Sequence, residues 1–312
     1  MTQMRIANCG LRIADCGLWI VDSELVIMRR SLIAPLFLIA AVSPAPSVLA
    51  QAPLPTAAPP PSYAPQELVR IVSPIALYPD PLLAQVLAAA TYSSEIPDAA
   101  TWADTHHYLT DGRLTQAIAE DRLPWDPSVQ ALLPFPSVLG MMAGDMPWTE
   151  ELGNAFLADQ AGVMDAVQRM RHEASQFGYL RSTPDITVTG GTFIEIDPVD
   201  PYYIQVPYYD PLVVFAPPRP GVHVATAVRL GFGVRIGDAF EPWGWGGSTH
   251  LLWPSHTMMI NRTPWRRTWT NRTTYVHPYT VPRYAGQQPL ERHHLQPRTA
   301  HDRGEDTAPK HR

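Results

Sequence analysis

Proline places the strongest limit on how this chain can fold, because its ring fixes φ and removes a backbone hydrogen-bond donor. It occurs 34 times in the 312 residues, and five prolines directly follow an aspartate. An aspartate can accept the free amides at a helix start, proline suits the first helical position, and in loops the same pair forms a turn. We therefore predict a helix start or a turn at each pair, which disfavours catalysis by Asp80. The pairs begin at Asp80, Asp126, Asp197, Asp200 and Asp210.

The first 27 residues differ in character from the rest of the chain. Residues 5–11 read RIANCGL and residues 12–18 read RIADCGL, a tandem seven-residue repeat with one substitution. Glycine and cysteine in both copies make a poor helical heptad. We interpret residues 1–27 as a mis-annotated upstream extension, with synthesis starting at Met28.

Residues 28–50 have the pattern of a secretory signal peptide, with cleavage expected between Ala50 and Gln51. A retained signal anchor is disfavoured, because an apolar run of eleven residues falls short of the roughly 20 that cross a bilayer. We therefore expect export to the periplasm or the extracellular space, and no transmembrane helix in the mature protein. The parts of the signal are the positive pair Arg29-Arg30, the apolar run 32–42 and the residues 48–50 before the cleavage site.

Cysteine is absent from the sequence after the predicted start. The two cysteines, Cys9 and Cys16, both precede Met28. Catalysis by a thiol and zinc ligation by cysteine are therefore excluded for the mature chain.

The remaining sequence divides into a linker, a domain and a tail. Residues 51–65 are rich in proline and alanine and predict an extended linker. Residues 66–216 are enough chain to form one hydrophobic core. The apolar residues of 66–178 have helical periodicity and predict, among others, a helix from about Pro147 to Gln176. Residues 185–216 predict a small antiparallel β element, so the fold class is α+β, mainly short α-helices. Its strands are expected near 186–188, 193–196, 202–206 and 212–215.

Residues 217–312 are rich in Gly and Trp and then in Arg and His, and we expect a mostly disordered tail. The balance of acidic and basic residues also differs between the two parts of the chain. Residues 51–250 contain 22 acidic residues against nine arginines, whereas residues 251–312 contain nine arginines and one lysine against four acidic residues. Arginine interleaved with aromatic residues is typical of segments that bind polyanions. The candidate partner-binding residues are Arg262, Trp265, Arg266, Arg267, Trp269, Arg272 and Tyr275.

That pattern leaves two interpretations open. The tail binds a polyanion, which in the envelope would be lipid phosphate, a cell-wall polymer, extracellular DNA or the protein's own acidic body, or it is a solvated segment without a ligand. It shows no specific nucleic-acid recognition motif.

Other clusters favour structural roles over chemistry. Adjacent histidines at 106 and 107 point about 100° apart on a helix, which suits one metal ion poorly. The acidic pairs Glu150-Glu151 and Glu120-Asp121 could be read as acid/base pairs, but adjacent carboxylates are expected at a helix start from the macrodipole, and Glu150-Glu151 closely follow Pro147. The sequence also lacks a nucleophile elbow, a phosphate loop and a metalloprotease helix motif. We predict no catalytic, cofactor or metal residues. Weak metal binding stays open for the tail histidines His277, His293, His294 and His301.

Four stretches together carry a family resemblance: LVRIVSPIALYPDPLLAQVLAAATYSSEI, ATWADTH, WDPSVQALLPFPSVLGMM and FIEIDPVDPYYIQVPYYDPLVVF. In this order, over about residues 66–216, they resemble the bacterial domain-of-unknown-function family 3300. The resemblance implies an exported envelope protein that is helical first and β-rich later. The family has no assigned activity, so no catalytic residues carry over.

We therefore expect a non-enzymatic exported envelope protein, an interaction module whose basic, aromatic tail contacts an anionic partner. One alternative is an envelope hydrolase that uses paired carboxylates. Another is a weak metal-binding protein that uses histidines. The oligomeric state stays open.

Overall fold

The computed structural model describes residues 58–218 and 224–277, together with Tyr279 and Val281. The predicted upstream extension, the signal peptide with its Ala50–Gln51 cleavage site, and residues 51–57 of the linker lie outside the described residues. Within the described part, no helix is both long and apolar enough to cross a bilayer.

The α+β class is confirmed, with helices in the first half and short antiparallel strands in the second. Helices α1 and α8 pack on each other, α3 packs on α6, and α2 packs on α5 and α7. Ten of the eleven residues of α2 are buried, as expected for a central helix surrounded by others. The first eight helices are α1 (Pro65–Val72), α2 (Asp80–Ala90), α3 (Ile96–Thr105), α4 (Asp111–Glu120), α5 (Pro127–Gln130), α6 (Pro136–Gly144), α7 (Met146–Ala158) and α8 (Gln160–Gln176).

Three of the five Asp-Pro pairs have the predicted local role. Asp126 starts α5 by accepting the Ser128 amide, and Asp210 accepts the Leu212 amide at another helix start. The Asp200 carboxylate accepts the Tyr202 amide in a turn, at 2.9 Å.

At Asp80 the predicted helix start is confirmed but the predicted cap is wrong, and at Asp197 the predicted turn is wrong. Asp80 is the first residue of α2, but its side chain makes no capping hydrogen bond to the helix amides. It is buried instead, in an ion pair with Arg171. Asp197 lies inside a strand, opposite Thr187, and not in a turn. At Asp80 a residue distant in sequence supplies the environment that the local pattern did not show, whereas at Asp197 strand pairing with Thr187 takes the place of the turn.

The single helix predicted from Pro147 to Gln176 is two helices, α7 and α8. The chain breaks at Asp159, which has non-helical backbone angles and whose carboxylate accepts the Gly162 amide at 2.8 Å. After the break, α7 packs mainly on α2 and α8 mainly on α1.

A close approach of two helices requires glycine at position 153. A Cβ atom at Gly153 would lie 2.1 Å from the carbonyl oxygen of Ala90, at the end of α2. No side chain fits at that distance, so α7 contacts α2 backbone to backbone there.

The strands form small antiparallel pairs. The predicted hairpin at 186–196 is present as β1–β2. Of the predicted strand at 202–206 only the two residues of β3 are a strand, and the next strand, β4, begins at Pro207. The predicted strand at 212–215 is a helical turn, α9 (Pro211–Val214), because Asp210 caps it and Pro211 occupies its first position. A second turn, α10 (Val224–Ala227), precedes β5. The pairs are β1 (Ile186–Thr189) with β2 (Glu195–Pro198), β3 (Tyr203–Ile204) with β6 (Val234–Arg235), β4 (Pro207–Tyr209) with β5 (Val228–Leu230), and β7 (His250–Leu252) with β8 (Thr257–Ile260) and β9 (Thr263–Pro264).

Residues 224–277 are folded onto the helices, whereas the sequence pattern predicted a mostly disordered tail from residue 217. The indole N–H of Trp243 donates to Gln130 Oε1 at 3.0 Å, and that of Trp245 donates to the Ala131 carbonyl at 3.0 Å. Large aromatic side chains bury 150–250 Å² each, roughly, so a Gly/Trp-rich segment gains much by packing against a helical body. The part of the predicted tail beyond Val281 lies outside the described residues. The segment's buried core residues include Phe240, Trp243, Trp245, Leu251, Trp253, Met258, Ile260 and Trp265.

Candidate functional site

The predicted partner-binding aromatics mostly face the protein. Trp265 is 3% exposed, and its ring packs on Phe156 with 5.3 Å between centroids. The Trp269 indole N–H donates to the Ala58 carbonyl at 2.8 Å, and the Tyr275 hydroxyl accepts the Arg266 amide at 3.2 Å. These side chains hold the segment in place, so stacking on a partner by Trp265 is not supported.

Two of the predicted arginines are also engaged inside the protein. Arg267 donates to the Thr91 carbonyl at 2.5 Å, and its guanidinium lies 3.6 Å from the Tyr92 ring centroid. Arg272 stacks on Trp269 at 3.9 Å and donates to its carbonyl. Both therefore attach the segment to the body or stiffen it.

The other two predicted arginines, Arg262 and Arg266, are exposed. Neither makes an ion pair with any described residue. We call residues 251–277 the basic segment, because they contain four arginines and no acidic residue. Its free positive charge is concentrated on these two side chains, held by a folded hairpin and not by a free tail.

A buried polar cluster fixes the end of the basic segment. His277 Nε2 lies 2.8 Å from the Asp126 carboxylate, although 151 residues separate them in sequence. Ser128 donates to the same carboxylate from its amide and its hydroxyl. Burial acts to raise the pKa of Asp126, but the hydrogen bond and charge of His277, with the bonds from Ser128, hold that pKa below its ordinary value. The helix cap was predictable from sequence, and the histidine contact was not.

A second buried cluster surrounds Asp80 and Arg171. Their ion pair closes at 2.6 Å, and the Trp253 indole N–H donates to the other carboxylate oxygen at 2.8 Å. Burial raises the pKa of the Asp80 carboxyl, against the opposing effect of Arg171 and Trp253. Neither charged residue lines any of the three described cavities, so the geometry favours a structural role.

Sequence reasoning missed Arg171, although a signal for it exists. Val163, Val167 and Arg171 follow one another at spacing four, so the arginine continues the buried stripe of α8. A charged residue on an apolar stripe predicts a buried ionic partner.

A groove of about 440 Å³ lies between the α3–α4 connection, the start of α6, and β6. Ligand pockets commonly have volumes of 300–1,000 Å³, roughly. The groove brings together the predicted histidine pair, Asp111 and Arg235 on a mostly apolar floor. The floor comprises Leu109, Leu114, Leu133, Pro134, Pro136, Val234 and Phe240.

In each of the two groove histidines, one ring nitrogen is hydrogen-bonded to a main-chain carbonyl. His106 Nδ1 lies 2.8 Å from the Trp102 carbonyl, and His107 Nδ1 lies 2.5 Å from the Asp104 carbonyl. A carbonyl only accepts, so both Nδ1 atoms carry hydrogen and the Nε2 atoms are left for other partners. No group of three metal-ligating side chains is assembled among the described residues.

None of the three described cavities is lined by two carboxylates, which a two-carboxylate mechanism requires. The groove has one carboxylate, Asp111, and of the other two described cavities one has Asp210 and one has none. The acidic pairs identified in the sequence make surface contacts instead. Glu151 pairs with Arg70, and Asp121 accepts the Trp102 indole N–H at 2.7 Å.

The sequence of this chain is similar to sequences of uncharacterised proteins. The sequence profile of a family described as protein of unknown function (DUF3300) matches residues 64–273, which includes most of the basic segment. The uncharacterized protein YacH of Escherichia coli (strain K12) is 32% identical over 213 residues, which cover 54% of this chain and 34% of YacH. The chain thus spans well under half of that relative. No solved structure matches it.

Proposed function

The chain belongs to the DUF3300 family of proteins of unknown function, and on that premise we propose that it is an exported, non-enzymatic binding protein of the cell envelope. Its basic segment contacts an anionic envelope partner, a lipid or a polymer that carries phosphate or carboxylate groups. The observation that carries the proposal is the exposure of Arg262 and Arg266 on a folded segment that has no acidic residue.

Two physical arguments support this contact. Arginine binds phosphate and carboxylate through a planar fork of donors, with little competition from the segment itself because no acidic residue is present there. The hairpin is already ordered by Trp265 and Arg267, so binding costs less conformational entropy than it would for a free tail.

The binding test compares paired charge variants. We expect the purified protein to bind vesicles that contain phosphatidylglycerol, or an anionic cell-wall polymer, with an affinity that falls as salt rises. Arg262→Gln with Arg266→Gln should weaken that binding about thirtyfold, since each arginine contributes on the order of 1 kcal/mol at an anionic surface. The control is Arg113→Gln with Arg229→Gln, which removes two exposed arginines outside the basic segment.

Each outcome of the binding test has one meaning. Equal loss in both double variants would show a general charge effect and would overturn the role of the basic segment. Binding to vesicles alone identifies a lipid partner, and binding to the polymer alone identifies a cell-wall partner. Absence of salt-dependent binding to either overturns the proposed contact.

Export is tested separately. Expressed from Met28 in a bacterium, the protein should appear in the periplasm or the medium with Gln51 as its first residue, because residues 28–50 have the pattern of a cleaved signal. Ala50→Arg should block cleavage and leave a longer product, because the position before the cleaved bond requires a small residue. Ala57→Arg, in the linker after that bond, is the control and should be cleaved as the parent is. A cytoplasmic product of full length would contradict the proposal.

A further inference from the structure

The groove holds two opposite charges close together. The Asp111 Oδ1 atom packs against Gly237, where a Cβ atom would lie 2.7 Å from it. Gly237 follows Arg235 by two residues, which span at most about 7 Å of chain. The carboxylate therefore lies next to the chain segment that carries the arginine, and both residues line the same groove.

Asp111 and Arg235 do not form an ion pair with each other. Among the described residues, Asp111 Oδ1 is buried without a hydrogen-bond partner. Arg235 has a long, exposed contact of 3.6 Å with Asp200, and its guanidinium lies 5.7 Å from the Tyr203 ring centroid. Exposed pairs of this kind contribute little, ~0–1 kcal/mol, so Arg235 can exchange Asp200 for a ligand carboxylate.

The histidines extend the acceptor side of the groove. Because the Nδ1 atoms of His106 and His107 bond to main-chain carbonyls, their Nε2 atoms accept hydrogen bonds when the rings are neutral. An ammonium group, with three donors and a positive charge, suits a carboxylate flanked by such acceptors.

We propose that this groove binds an amino-acid zwitterion with an apolar side chain. The ammonium group binds Asp111 with a histidine Nε2, the carboxylate binds Arg235, and the apolar side chain lies on the floor of leucine, proline and valine. A simple anion would be repelled by Asp111, and a simple cation by Arg235. A free amino acid and a short peptide share this chemistry, and the volume of about 440 Å³ accommodates either. The proposal is independent of the contact assigned to the basic segment.

The experiment uses peptides blocked at one end or the other. L-Leucyl-L-leucine is titrated into the full chain by calorimetry, beside its N-acetyl form, its C-terminal amide and the doubly blocked peptide. We expect saturable binding of the free dipeptide, and at least a tenfold loss from blocking either end, since each block removes one charge-assisted contact. Free L-leucine in a parallel titration distinguishes an amino acid from a peptide as the ligand.

Two variants assign each end of the ligand to its residue. Asp111→Asn should weaken the free dipeptide about tenfold and abolish the further effect of N-acetylation. Arg235→Gln should do the same for the C-terminal amide. Asp98→Asn, in the first turn of α3, and Arg229→Gln, on neighbouring β5, are the matched controls and should bind as the parent does.

The outcome is decisive in each case. Equal binding of free and doubly blocked peptides would show an apolar pocket only, and would overturn the proposal. So would absence of any binding with a Kd of about 1 mM or tighter. Asp111 has φ 49°, which asparagine also adopts readily; if Asp111→Asn nevertheless unfolds, Arg235→Gln with the blocked peptides decides the question. Loss of vesicle or polymer binding in the Arg262 and Arg266 variants, with dipeptide binding intact, shows that the two sites are separate.

Discussion

Arg171 Nη1 lies 2.6 Å from Asp80 Oδ1, and both side chains are buried. This ion pair joins the start of α2 to the last turns of α8. The Arg171 guanidinium also donates hydrogen bonds to three main-chain carbonyls, and these bonds fix the backbone before α2 and before β2. Those carbonyls belong to Ala76, Tyr78 and Ile194.

Removing the charge of Asp80 should destabilise the protein strongly. Asp80→Asn leaves the Arg171 guanidinium buried without its counter-charge, which costs about 3–5 kcal/mol. The free energy of unfolding from urea titration measures the effect. Asp98→Asn, an exposed acid in the first turn of α3, should change that free energy by under about 0.5 kcal/mol. A loss under about 1 kcal/mol in Asp80→Asn would show that the pair is not a stabilising contact.

The basic segment should contribute to stability as part of the core. Trp265→Ala removes a ring that is 3% exposed, and large-to-small changes of this kind cost about 3–5 kcal/mol. Phe232→Ala, at a fully exposed aromatic position, is the control and should be close to neutral. Thermal unfolding followed by circular dichroism compares the two. Equal melting temperatures for both variants would mean that the segment is not packed on the body.

Acid should weaken the contact between Asp126 and His277. The pKa of Asp126 is lowered in the folded protein, so its contribution to stability is present above the unfolded pKa of about 4 and is lost as pH falls through the lower folded value. Asp126→Asn should therefore be less stable than the parent at pH 6, with the difference shrinking below about pH 4. Asparagine still caps α5 as aspartate does, so the substitution isolates the charge. A difference that is independent of pH would contradict this assignment.

Gly153 should not tolerate even a methyl group. Gly153→Ala places a Cβ atom on the Ala90 carbonyl and should cost at least about 1–3 kcal/mol through overpacking of α7 on α2. Gly140→Ala is the matched control, because nothing lies within 4 Å of a Cβ atom there. In an open helical position that change should stabilise by about 0.5–1 kcal/mol. Urea titration of both variants decides whether the close approach is real.

Much of the fold could be predicted from interactions between residues that are close in sequence. The caps at Asp126 and Asp210, the hairpin at 186–196 and the α+β class follow from interactions between residues a few positions apart. Such interactions recur wherever the same short pattern occurs, because the helix amides and the capping side chain belong to one stretch of chain. The break at Asp159 was missed, although the residue is itself a cap, because apolar periodicity continued through it.

Contacts across long sequence separations needed the folded structure. The pattern around Asp80 is that of a cap, yet its carboxylate meets Arg171 and Trp253, which lie far along the chain. The arginine- and tryptophan-rich composition of residues 251–277 suggested a solvated tail, whereas the helical body offers those rings an apolar surface. The groove likewise depends on the meeting of residues 106–114 with residues 233–240. Burial removes water from a side chain whatever its neighbours in sequence are, so the environment of a charged or aromatic residue is decided by which surfaces come together.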